Sequence, residues 1–189
     1  MFFLNMSAEN EKLKKAVSSD DAELFGRLYE QHLPGVFRYV SYRVGDRTAA
    51  EDLTSDIFNK ALTDFARYNP EKAAFSTWIF TIARNTVIDY YRKRGKERKI
   101  RKETEAEIPA VAESPEDEIA RNDEINRLRK CLEKLKESER ELVSLKFGGG
   151  MTNREIAKIT GLSESNVGTI LCRVVRKLRD GFTGEQHDR

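Results

Sequence analysis

Two cysteines, two histidines, four prolines and eleven glycines are spread thinly over 189 residues. Each scarcity excludes something. Cys131 and Cys172 form no CxxC pair, so neither a zinc ribbon nor a disulfide framework is signalled, and they read as reduced thiols of a cytoplasmic protein. His32 and His187 are the only imidazoles. His187 sits in a polar tail, and His32 is expected to cap or pack a helix. No nucleophile–base constellation is visible around either, so catalysis, a metal and a cofactor are not expected. No apolar run approaches the eighteen residues of a membrane-spanning helix. "MFFLNM" at the start is too short for a signal-peptide core and runs into the charged "AENEKLKK". Few glycines and prolines, with abundant Leu, Ala, Glu, Lys and Arg, favour an all-α protein.

Charge is plentiful, and its placement says more than its total. Lys and Arg number 34 against 32 Asp and Glu, a net charge of +2. Residues 75–102 carry nine basic and two acidic side chains, whereas residues 103–118 carry none and seven. A block of +7 thus precedes a block of −7. A basic block on an aromatic-rich segment suggests an anionic polymer as partner.

Helical periodicity begins over 8–17 and 20–32, the latter opened by the capping sequence "SSDD", and continues over 34–45. "VGDRTA" interrupts it, and a helix follows over about 48–66. There Ala50, Leu53, Ile57, Ala61 and Phe65 make an inward stripe. Asp52, Ser55, Asp56 and Asn59 share the opposite face. "RYNPEKAA" reads as a loop, because Pro70 disfavours helix at Asn69. Two small helical domains are expected, over 8–95 and 119–182, with a proline-bearing flexible linker over 96–118 and a disordered tail over 183–189.

"FSTWIFTIARNTVIDYYRKRGK", residues 75–96, holds five aromatic and five basic side chains. At 100° per residue, Phe75, Trp78, Ile79, Ile82, Thr86 and Tyr90 form one core-facing stripe. Phe80, Arg84, Val87 and Tyr91 form a second, and Arg84, Asn85 and Arg92 share the polar side. One core needs only one stripe. The rings of Phe80 and Tyr91 are therefore expected outside the core, where aromatic faces can stack on unpaired bases.

"TNREIAKITGLSESNVGTILCRVVRKLRD", residues 152–180, has the spacing of a helix-turn-helix. Thr152 and Glu155 make a capping box. Ala157 permits a close crossing, Gly161 suits a left-handed turn, and Ser163 caps the next helix. Val167, Leu171, Val174 and Leu178 face inward. Ser165, Asn166, Thr169, Arg173, Arg176 and Lys177 face outward, on the side that such a helix presents to the major groove. The glycines of "GGGMT" at 148–152 lack the Gly-Lys-Ser/Thr of a phosphate loop and read as a helix stop and turn.

Together these blocks resemble the bacterial sigma factors of the extracytoplasmic-function (ECF) group, over nearly the whole chain. "AEDLTSDIFNKAL" (50–62) is similar to the region 2 helix that binds the polymerase clamp. "FSTWIFTIARNTVIDYYRKR" (75–94) is similar to the promoter-opening helix. "LKESERELVSLKF" (135–147) with "MTNREIAKITGLSESNVGTILCRVVRKLR" (151–179) is similar to region 4. Ser55 stands where the family often has Gln, and Gly168 and Ile170 stand where basic or polar residues are frequent. The resemblance implies a non-enzymatic subunit of core RNA polymerase, often held inactive by an anti-sigma factor. Asp52, Ser55, Asp56 and Asn59 would bind polymerase. Phe80, Arg84, Asn85, Tyr91 and Arg92 would meet single-stranded −10 DNA, with the Asn85 position helping to hold a flipped base. Ser165, Asn166, Thr169, Arg173, Arg176 and Lys177 would meet the −35 duplex. A free-standing helix-turn-helix repressor fits less well, since a duplex binder has no use for base-stacking rings. A nucleic-acid-modifying enzyme lacks its metal and nucleophile motifs.

Overall fold

The computed structural model describes residues 19–103, 130–132 and 134–184. The expected helix over 8–17, residues 104–118 of the expected linker and the last five residues of the tail lie outside the described residues. The order is α1 (Ser19–Val44), α2 (Arg47–Thr63), a 3-10 turn (Phe65–Arg67), α3 (Phe75–Glu103), α4 (Glu137–Val143) running into a π turn (Ser144–Gly148), α5 (Asn153–Thr160) and α6 (Glu164–Gly184). Among the described residues there is no strand.

The two expected segments over 20–32 and 34–45 are one helix, α1, which carries Pro34 inside it. Gly45, at φ +74°, turns the chain out of α1. Asp46 then caps α2, its carboxylate accepting from the Ala49 N–H at 2.6 Å. The inward stripe of α2 is buried as expected, with Ala50, Ile57 and Ala61 fully so. Against it lie Val36 and Val40 of α1 and Ile79 and Ala83 of α3. Phe65, Tyr68, Phe75 and Trp78 close one end as a ring cluster with centroids 5.0–6.5 Å apart. Trp78 is therefore a core neighbour, as its stripe implies.

Two features differ from expectation. Helix α3 runs to Glu103, eight residues into the segment read as linker, because Lys, Arg, Glu and Ile sustain a helix even where charge is dense. Phe147, after the buried Leu142, Val143 and Leu145, is exposed. The π turn is wider than an α turn: Gly149 N–H reaches back to the Ser144 carbonyl at 2.9 Å, so Leu145 goes inward and Phe147 outward. Most consequentially, both stripes of α3 are buried. The first faces α1 and α2. The second is covered on one side by the segment 141–149, which also contacts α1.

In the second half Thr152 and Glu155 form the expected capping box, and Gly161 has φ +77°. Ser163 Oγ accepts from the Asn166 N–H at 3.2 Å. Val167 and Val174 are fully buried against Ile156, with Leu171 nearly so.

Ile57 has no exposed surface, so Ile57→Ala removes three methyl(ene) groups from a closed core. It is expected to cost about 2–5 kcal/mol in chemical denaturation. Exposed Asn59→Ala, two residues away, is expected to stay within about 0.5 kcal/mol.

Candidate nucleic-acid and partner interfaces

The first candidate surface is the outer face of α2. Asp52, Ser55, Asp56 and Asn59 are all exposed there, opposite the buried stripe. The packed interior behind them makes this a rigid, polar, acid-bearing ridge suited to a macromolecular partner.

The second is the outer face of α6. Ser165, Asn166, Thr169, Arg173, Arg176 and Lys177 are all exposed and share one side. Thr169 returns its hydroxyl hydrogen to the Ser165 carbonyl at 3.0 Å, which holds that side chain along the helix. The basic end is less open than the sequence suggests. Glu139 on α4 is buried, and its Oε1 accepts from Lys177 Nζ at 2.8 Å and lies 3.9 Å from Arg173 Nη2. The hydrogen bond from Lys177 is the main reason its carboxyl titrates below the ordinary 4.5, with burial opposing and the Lys136 N–H assisting. Arg176 instead lines a shallow groove between α6 and the π turn, beside Phe147 and Arg179.

The third is α3. Asn85 and Arg92 lie on its open side with Thr81 and Ile88, and Arg92 pairs with Asp89 at 3.0 Å. The other sequence-selected residues are placed differently. Phe80, expected outside the core, is 1% exposed. Its ring meets Tyr39 edge-on at 5.7 Å and abuts Gly149. Arg84 donates from Nε to Glu141 at 2.8 Å. Tyr91 is half-buried and donates its hydroxyl to the Arg43 carbonyl, and burial raises its phenol above the ordinary range. The expectation that Phe80 and Tyr91 lie free is thus corrected: the second stripe has a protein cover.

Periodicity does not disclose Glu139, because its partner on α6 is 38 residues away. Its one sequence signal is an acid in the first turn of a helix. The reach of Glu155 is equally hidden. Besides its capping box, it accepts from Ser76 on α3 at 2.9 Å. Burial works against its ionisation, but the hydrogen bonds from Thr152 and Ser76 keep it below 4.5. His32 rests half-buried beside the Phe75 ring at 5.2 Å, and burial lowers its titration below 6.5. Among the described residues no group of His, Cys, Asp and Glu is arranged to hold a metal, and no helix is long and apolar enough to cross a membrane.

Residues 28–97 match the Sigma-70 region 2 family and residues 125–178 match Sigma-70 region 4. Along the chain, 91% aligns at 33% identity with 65% of the ECF RNA polymerase sigma factor BldN of Streptomyces coelicolor. Against the RNA polymerase sigma factor YlaC of Bacillus subtilis, 85% of the chain aligns at 31% identity with 93% of that protein. The chain is an ECF sigma factor. In fold it is similar to the sigma factor RpoE of Bartonella quintana, solved in complex with the anti-sigma factor NepR. That match has a TM-score of 0.67 and 24% identity, over 87% of this chain and 98% of that one. Within this sigma factor, α1–α3 form region 2 and α4–α6 form region 4. Its role is in transcription initiation.

Glu139 and Glu155 have lowered folded-state values, so their contributions to stability are complete above the unfolded value of 4.5 and vanish as pH falls through the folded values. Acid titration followed by circular dichroism should therefore show the wild type losing stability below about pH 4.5. Glu139→Gln should be less stable at pH 7 and show a shallower loss toward acid. An unchanged slope would remove Glu139 from the acid response.

Proposed function

We propose that this sigma factor joins core RNA polymerase through the outer face of α2, reads the −35 duplex with α6 and captures the −10 strand along α3. The observation that carries the reading is the exposed side of α6, where small polar groups precede a basic end on a rigid helix-turn-helix. Asn166 and Thr169 lie near the N-terminal end, where a recognition helix meets base edges. Arg173, Arg176 and Lys177 lie toward the other end and serve phosphates, which position without specifying sequence. On α3, Asn85 supplies an amide for a base edge, and Arg92 supplies charge on the same side. A flipped base costs a few kcal/mol of unstacking, which contacts such as these must return. An anti-sigma factor is proposed as regulator, by analogy with the sigma factors solved with NepR and CnrY.

Two experiments test this. Asp52→Arg with Asp56→Arg places like charge where acids stood, on an exposed face that leaves the fold intact. Co-purification with core polymerase is expected to be lost; retained binding would remove α2 from the interface. For the duplex, Arg176→Ala should weaken binding to all sequences alike and lower the salt dependence by about one charge. Asn166→Ala should change base preference, by about 1–3 kcal/mol at the affected position. The reverse pattern would overturn the division of labour.

A further inference from the structure

Glu139 makes one contact that a helix start requires and others that it does not. Its Oε2 accepts from the Lys136 N–H at 3.3 Å, which satisfies an orphan donor at the start of α4. Its other oxygen serves α6 instead: Oε1 accepts from Lys177 Nζ at 2.8 Å and stands 3.9 Å from Arg173 Nη2. The Glu139 side chain keeps 6% of its surface, while those of Lys177 and Arg173 keep 49% and 61%. A sheltered carboxylate thus lies behind two cations that face solvent. Arg176 is placed differently, since none of the residues lining its groove is acidic.

A phosphate that takes Lys177 must draw it from this carboxylate. Glu139 is then left with little hydration and without its main counter-charge, which is costly for a sheltered anion. The phosphate also arrives beside a like charge, and that repulsion opposes the new contact. Arg176 carries neither penalty.

We propose that Glu139 is an internal competitor for the DNA backbone: it withholds Lys177 from phosphates and weakens Arg173, so α6 engages a duplex with fewer effective cations than it displays. The proposal rests on the reading of α6 as the duplex-facing helix and adds which of its cations count. Glu139 is a positioning residue, acting through Lys177 rather than by touching DNA. Phosphate contacts carry no sequence information, so the competitor weakens binding to every duplex alike. Asn166 and Thr169 lie about two turns and one turn before Arg173 on the helix and keep their access to base edges. The result limits attachment to the large excess of non-specific sites in a genome while leaving base discrimination in place.

The test is the salt dependence of DNA binding by the full chain, measured by fluorescence anisotropy on two duplexes of equal length and unrelated sequence. Arg176→Ala should lower the slope of log K against log salt by about one. Lys177→Ala, which removes an equally exposed cation one position on, should lower it by much less. Glu139→Gln keeps an acceptor for the Lys136 N–H and removes the charge. It should steepen the slope by about one and tighten binding to both duplexes roughly fivefold to tenfold near 0.1 M salt. Adding Lys177→Ala to Glu139→Gln should cancel that gain. A carboxylate that only braced α6 against α4 would change the melting temperature and leave the slope alone. A full unit lost on Lys177→Ala in the otherwise native chain would show that the lysine already serves a phosphate, overturning the competitor. An unchanged slope in folded Glu139→Gln would do the same. Should Glu139→Gln fail to fold, the comparison of Lys177→Ala with Arg176→Ala decides by itself. If Arg176→Ala left the slope unchanged, the duplex reading of α6 would fall, and the competitor with it.

Discussion

The missing side chains at Gly148 and Gly149 allow the π turn to rest directly on α1 and on the Phe80 ring. At Gly148 two backbones approach to a distance that real Cβ atoms do not tolerate, and the cross-domain bonds accompany that approach. With the π turn resting on α1, Arg43 is drawn under Glu137, Arg38 reaches the Gly148 carbonyl and Arg84 meets Glu141. Further along, Ser76 meets Glu155. Glycine here serves close approach; only Gly150 of this run needs a left-handed φ.

Helix α3 shows how one element can carry two kinds of demand. The side bearing Phe75, Ile79 and Thr86 is buried in region 2. The side bearing Phe80 is equally buried, but by a segment belonging to the other domain. A side chain under such a cover behaves as core while the domains are together. The third side, with Asn85 and Arg92, is open.

Electrostatics on region 4 follow a similar economy. Glu139 is a buried acid whose charge is maintained because a lysine and an arginine stand over it. It holds the C-terminal half of α6 against α4 and sets where Lys177 sits. An anion approaching Lys177 therefore competes with a carboxylate already in place, whereas Arg176 has no such rival among its described neighbours. Helix α6 thus presents cations of unequal availability.

Much of this was legible without coordinates. Alternating stripes marked α2, the capping box at Thr152 and Glu155 marked the start of α5, and Gly161 with Ser163 marked the turn into α6. These are local rules, acting over three or four residues, and the chain obeys them because satisfying orphan backbone groups and burying one face is nearly independent of what lies far away. The exposed candidates on α2 and α6 follow from the same periodicity. Periodicity alone could not say what covers the second stripe of α3, which depends on Glu141 and Gly149, 57 and 69 residues from their partners Arg84 and Phe80. Nor could it show that the glycines after α4 are a seat rather than only a stop, or that Glu139 is the counter-charge to Lys177. Those facts come from long-range close approach, which depends on the shapes of two assembled domains; local spacing carries no record of it.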